Sequence, residues 1–475
     1  MKEQRIQLSD HFTYLRLYRF VLPTIIMMVF TSIYSVVDGL FVSNFVGGIP
    51  FAALNLIFPL IMILGSVGFM FGTGGTAVVS KKLGEKDEKG ANEVFSMLVY
   101  ITLIVGGVLA LSGILLARPI ARWFVSFDKT MSAEDSASMI EYCVLYARIV
   151  LAALPGFMLQ NVFQGFFVTA EKPRLGLYVI VLAGCMNILL DYLFVAVFRF
   201  GLAGAALATA ISQIVGGSTP LFYFAKKNNS LLRLGKTHYD GKTLLQICFN
   251  GSSELLSNVS MSLVTILYNS QLMVFAGING VSAYGIIMYA NFVFISIFIG
   301  YSIGSAPIVG YNYGAENKKE LQNVLKKSLV SVLVFGILMA VTAWLLSDTL
   351  AYIFVSQDES LYNLTVHGFN IYAFAFLICG LNIFGSSFFT ALSNGLISAL
   401  ISSSRILIQI IAVLVLPIFW GVEGIWYSIV VSEILSSLFA IACLYFKRKK
   451  YGYFGSKRGV FVNILRKNTN TPCSR

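Results

Sequence analysis

The sequence has little charge and almost no histidine. Lys, Arg, Asp and Glu make up 12% of its 475 residues, against roughly 25% in ordinary soluble domains. Three His, with no HExxH pair, exclude the usual helix-borne zinc site. The six Cys are scattered and none forms a CxxC, so neither a disulfide framework nor a zinc knuckle is drawn. No Ser-centred nucleophile elbow is drawn, since the string "GYSIG" (300–304) lies within an apolar run with no strand before it. The nearest approach to a phosphate loop is "GKTHYDGKT", Gly235 to Thr243. Its glycines stand five residues apart where four are needed, and no strand precedes it. We therefore expect a chain that is not an enzyme, with no cofactor and no resident metal.

What is abundant is apolar. Hydrophobic residues reach 57%, in runs such as "FAALNLIFPLIMILGSVGFMFGTGGTAVV" from Phe51 to Val79. About 20 such residues cross a bilayer as a helix. Lipid offers the backbone no hydrogen bonds, so spans are helices or closed barrels. The short alternating strands of a barrel do not appear. The expected fold class is an all-α polytopic membrane protein with twelve transmembrane helices. Their expected ranges are 17–38, 51–79, 94–116, 138–169, 174–197, 204–224, 243–276, 280–310, 324–346, 361–392, 396–418 and 422–446. Pro23, Pro59 and the pair Pro155–Gly156 are kink candidates.

The net charge of +12 is distributed by side. Arg118, Arg122, Lys129 and Arg199 fall on one side and Arg148 inside a span, while all other Lys and Arg, Arg405 among them, count to the opposite side. The excess marks the inner side, so both termini are expected in the cytoplasm of a multi-pass plasma (cell inner) membrane protein. Basic inner loops facing anionic lipid account for the charge without nucleic acid. Arg148 is expected to snorkel or to pair with an acid such as Glu141.

The chain is duplicated. "GLAGAALATAISQI" (201–214) matches "GVEGIWYSIVVSEI" (421–434), and Gln213 meets Glu433. "LGEKDEKGANEV" (83–94) echoes "YGAENKKELQNV" (313–324). Six spans in each half place both halves the same way up, a parallel repeat around a central path. The expected domains are an N-terminal six-helix bundle (1–225), a cytoplasmic linker (226–242), a C-terminal six-helix bundle (243–446) and a basic tail (447–475).

Inside "CMNILLDYLFVAVF" (185–198), Asn187 and Asp191 stand four apart and share one helical face. An acid within a span is costly and is by default a functional candidate. It can hold a proton, or bind a small cation together with neutral oxygens. A helix cap or a pin between helices is the structural alternative. Glu254, early in the seventh span, is a candidate for secondary coupling or substrate contact, or lies at the cytoplasmic mouth. With 39 Phe, 23 Tyr and 14 Met, the chain has material for a cavity that attracts organic cations. Tyr34, Met288, Tyr289, Asn291 and Phe292 are the cavity candidates.

The duplicated halves, "YSVVDGLFVSNFVG" (34–47), "GTGGTAVVSKKLGEKD" (72–87) and "NILLD" (187–191) together resemble the multidrug and toxic compound extrusion (MATE) family, bacterial type. The resemblance runs from about Arg16 to Tyr445. It implies a cation site in the N-terminal bundle, with Asp38 and Thr209 joining Asn187 and Asp191, and a helix-bending role for Pro23. It also implies antiport, with proton or sodium as the coupling ion and small organic cations or drugs as cargo. Sodium would sit at Asp38, Asn187 and Asp191 as a transported ion. The protein is expected to work as a monomer in contact with membrane lipid. The tenth-span Asp used by some members is absent from "HGFNIYAFAFLICGLN" (367–382). The competing reading is a lipid-linked oligosaccharide flippase of the same superfamily. Such flippases favour basic cavity residues, and only Arg148 is counted inside a span here.

Overall fold

The computed structural model describes residues 6–126, 132–354 and 358–453. The tail expected over 447–475 is therefore described only to Tyr453, and Lys129 lies outside the described residues. Eleven α-helices follow one another, with no strand among the described residues. They are α1 (Tyr14–Phe45), α2 (Gly48–Gly84), α3 (Glu88–Val125), α4 (Ala133–Ala152), α5 (Leu154–Thr169), α6 (Pro173–Asp191), α7 (Gly201–Ala225), α8 (Gly241–Gly314), α9 (Lys318–Phe354), α10 (Glu359–Ala391) and α11 (Gly395–Tyr451). A π-helical segment, Tyr192–Val197, extends α6. Nine described helices, or ten counting the bent pair α4–α5, are long and apolar enough to cross a membrane.

Local chemistry sets the boundaries. Side chains of Thr13, Asp87, Ser132, Asp240, Asp358 and Asn394 accept from the first free amides of α1, α3, α4, α8, α10 and α11. Pro155 enters at the start of α5, where its missing N–H costs nothing, and α4 and α5 meet at 53°. The 74 residues of α8 would run about 110 Å if straight. Instead the chain turns at Gly277 (φ 62°, ψ −154°), and α11 turns likewise at Gly421 (φ 55°, ψ −133°). Both conformations need the left-handed region that glycine enters freely.

Eight of the ten described residues with positive φ, all but Arg199 and Gly452, come in pairs. Gly47 and Gly277, Lys86 and Glu316, Glu171 and Ser393, and Gly201 and Gly421 occupy corresponding turns in the first and second halves of the chain. Their separations follow the sequence repeat.

Two apolar cores result. One is built within 42–247, around Phe95, Phe163, Phe166 and Phe224. The other lies within 264–453, around Tyr268, Phe298, Phe376 and Trp426, and also takes Leu8, Phe12, Leu17, Phe20, Val21 and Ile25 from the start of the chain. Glycine lets the two sets of helices approach closely. A Cβ on Gly74 would stand 2.1 Å from the Ile247 carbonyl oxygen, and one on Gly251 2.0 Å from that of Met70. Gly84 and Gly314 meet Tyr311 and Lys81 in the same way. These contacts sit at the end of the molecule that carries the basic loops.

Two expectations need correction. Arg405, counted above with the loops, lies inside α11 and pairs with Glu433. Arg148 does not take Glu141, which pairs with Arg118, and Arg148 is exposed on α4. Arg118 lies near the end of α3 and reaches Glu141 across the α3–α4 turn.

Candidate functional site

Asp38 is carried by α1, Asn187 and Asp191 by α6, and Thr209 by α7. The structure brings all four together: Asp38 lies beside Asp191, Asn187 and Thr209. Asp191 is fully buried and Asn187 is 2% exposed, while Asp38 and Thr209 are half-buried. The α6 side is therefore the more deeply buried wall of the site.

Small residues create this approach. Gly184 is one turn before Asn187 on α6. A Cβ there would stand 2.5 Å from Phe30 and 2.8 Å from Tyr34, so glycine allows α1 to reach α6. Gly216 similarly admits Gln160, whose Oε1 would lie 2.7 Å from an added Cβ. Immediately after Asp191 the helix widens into its π segment, where Phe198 N donates to Leu193 O at 2.8 Å. Single π turns of this kind recur at functional sites, because they re-aim side chains within a helix.

The unpartnered atoms of the cluster are all oxygens. Asp38 Oδ1, both Asp191 carboxylate oxygens, Asn187 Oδ1 and Thr209 Oγ1 are buried and accept no hydrogen bond. A buried acceptor without a partner costs roughly 1–3 kcal/mol, and more when charged. Five such oxygens in one place, on three helices, call for shared positive charge. A proton between the carboxyls answers that need, and so does a small cation with oxygen ligands. Among the described residues no group of three or more His, Cys, Asp and Glu gathers anywhere. Two acids with an amide and a hydroxyl match a single-charge ion better than a resident divalent metal.

Sequence reasoning missed Tyr146. It lies on α4 beside Thr209, Asp38 and Asp191 and is 4% exposed. Tyr34, a cavity candidate, lies on α1 beside Gln160 and Asp38. Elsewhere, Gln213 Oε1 and Asn161 Nδ2 are also buried without partners. The one available signal was the repeat, which aligned Gln213 with an acid, Glu433.

Other candidates lie apart from this cluster. Pro23 is buried in α1, 15 residues and about 22 Å along the helix from Asp38. Next to it, Ile25 and Thr24 take the close approach of Gly300. Glu254 is half-buried on α8, and its backbone carbonyl accepts from Asn258 Nδ2 at 2.8 Å. Beyond the Gly277 turn, Asn291 is buried at 4% and donates to Met288 Sδ at 3.8 Å, while Tyr289 and Phe292 are exposed.

The family model MatE matches residues 23–193 and 254–415. A "Multidrug export protein MepA" from Staphylococcus haemolyticus (strain JCSC1435) is 24% identical over 450 residues, covering 94% of this chain and 97% of the relative. Among solved structures, an outward-facing multidrug resistance MATE transporter of the MOP superfamily superposes with a TM-score of 0.85. It is 20% identical and covers 96% of this chain and 100% of its own. A MATE crystallised with the compound MaD3S gives a TM-score of 0.86 at 20% identity, covering 96% and 100% of the two chains. At these identities the structural likeness is one of fold.

Proposed function

The chain belongs to the MatE family of multi-pass membrane transporters, and on that premise we propose that it exports cationic or amphipathic organic compounds by antiport against proton or sodium. The observation that carries this reading is the cluster of five unsatisfied oxygens on α1, α6 and α7. Loading the cluster with one positive charge removes the cost of the bare oxygens. Unloading restores it. Ion occupancy then biases how α1 packs against α6 and α7, and a population shift needs only such a difference between two states. The named activity of the staphylococcal relatives, multidrug export, supplies the cargo class.

Twelve spans in two six-helix bundles suit this mechanism. The paired left-handed turns and the two apolar cores support the arrangement, with α8 and α11 each contributing two spans. The segment 226–242 then links the bundles, both termini are cytoplasmic, and each chain works alone. Pro23 lets the start of α1 move with the second core while Asp38 stays with the first.

The test is transport by the full chain in proteoliposomes, with ethidium as cargo and proton and sodium gradients imposed separately. Asp38→Asn and Asp191→Asn should each cut gradient-driven ethidium movement at least tenfold at equal protein incorporation. Wild-type rates in both variants would place the coupling elsewhere. The gradient that drives the wild type names the ion.

A further inference from the structure

The second core holds a charge pair that the proposed mechanism does not use. Arg405 Nε and Nη2 both donate to Glu433 Oε1, at 2.8 and 2.5 Å. Asn382 Nδ2 donates to Glu433 Oε2 at 2.9 Å and to Ser436 Oγ at 2.8 Å. Glu433 is thus satisfied on both oxygens and only 3% of its side chain is exposed. Arg405 is not fully engaged. Its side chain keeps 29% exposure, and Nη1 makes no hydrogen bond to any described residue.

The direction of that exposure decides its use. Leu396, Leu400, Leu407, Ile411 and Ile418 form the outward stripe of this part of α11, at 46–73% exposed. Arg405 is two residues from Leu407 and nine from Leu396, about 200° and 180° around the helix. Its guanidinium therefore points away from the outward stripe and into the molecule. Ser402 and Gln409, one turn to either side, are partly exposed on the same face. Ser402 Oγ lies 3.0 Å from Ser386 Oγ, which lies 2.8 Å from Ser398 Oγ. Arg405 is ten residues into α11, about 15 Å along its axis, near the middle of a bilayer of about 30 Å. A partly exposed Arg side chain at that depth, turned inward among hydroxyls and an amide, faces the interior of the molecule.

We propose that Arg405 is a subsite for an anionic group, a carboxylate carried by the cargo. Glu433 occupies the Nε–Nη2 edge of the guanidinium fork. The Nη1–Nη2 edge remains, and that edge matches a carboxylate in bidentate geometry. Asn382 holds Glu433 independently, so the internal pair persists while the free edge binds. The proposal rests on the export reading and narrows its cargo: compounds with a basic amine and a carboxylate fit this chain, not only cations.

The test uses purified full-length protein and three probes: the zwitterionic quinolone norfloxacin, its ethyl ester and ethidium. Wild type should bind the acid at least tenfold tighter than the ester. In Arg405→Gln/Glu433→Gln, which leaves no buried charge unpaired, the gap should close to within twofold with ethidium affinity unchanged. Equal affinity for acid and ester in wild type overturns the subsite, as does a gap that persists in the double variant. If the double variant loses ethidium binding through misfolding, the wild-type comparison decides alone. Binding of none of the three by wild type, with no ethidium export from liposomes, sinks the export reading and the subsite with it.

Discussion

Both carboxylate oxygens of Asp191 are buried without a hydrogen-bond partner. Its neighbours sort by what they can offer. Asn187 brings an amide oxygen and an NH2 donor, and Thr209 and Tyr146 bring hydroxyls that can both donate and accept. Thr209→Val keeps the shape of the side chain and removes its oxygen. It should slow gradient-driven export three- to tenfold, and Thr209→Ser should restore most of it. Equal rates in Val and Ser variants, measured in proteoliposomes, would make Thr209 a packing residue only. Asn187 and Asp191 were legible in the sequence because polar residues four apart stand out in an apolar run. Tyr146 and Gln160 were not. A Tyr or Gln in a mixed helix is ordinary until α1, α6 and α7 fold around it.

At the scale of single elements, turns and caps carry the stability that can be tested outside the site. Ser393 holds φ at 56° with its Oγ buried and unpartnered. A left-handed backbone costs a side-chain-bearing residue roughly 1–2 kcal/mol, and Gly returns part of that as unfolded-state entropy. Ser393→Gly should therefore raise the melting temperature slightly, by the equivalent of about 0.5–1 kcal/mol. Asp87 caps α3 through the Gly90 amide, at 2.9 Å. That bond and Lys82 hold its carboxyl below the ordinary range. The cap's stabilisation is present above the unfolded carboxyl's pKa and fades as pH falls through the depressed folded value. Asp87→Ala should cost about 1 kcal/mol at neutral pH and progressively less in acid, read as melting temperature against pH. The π segment after Asp191 was not legible in the sequence, because "YLFVAV" has nothing that separates it from an α-helix.

For the molecule as a whole, the basic end is the closed end. Gly74 and Gly251 meet backbone to backbone, as do Gly84 and Gly314. The chain's start straps the same face. Leu8 N donates to Glu171 at 2.8 Å, Phe12 N donates to Glu320 at 2.9 Å, and His11 pairs with Glu320 at 2.6 Å. Glu171 belongs to the turn after α5 and Glu320 to the start of α9, so the strap ties turns from both halves of the chain. Gly251→Leu has no room against Met70 and should hold α2 and α8 apart. Export should fall at least tenfold while membrane abundance stays normal. Normal export by this variant would show that the close contact is dispensable.

The sequence by itself determined the helices, their membrane character and the duplication. These depend on local composition and periodicity, which act within a segment or between aligned segments. It also marked Asn187 and Asp191, because burying polarity in an apolar run is costly wherever the run goes. Tertiary structure decided the partners. Arg405 and Glu433 lie 28 residues apart, on two limbs of α11 folded back at Gly421. Asp38 and Asp191 come from helices separated by four others, and close packing of α1 on α6 at Gly184 accompanies their meeting. Charge pairing and ion binding are through-space effects of a few ångströms. They are settled by which helices touch, not by which residues are neighbours along the chain.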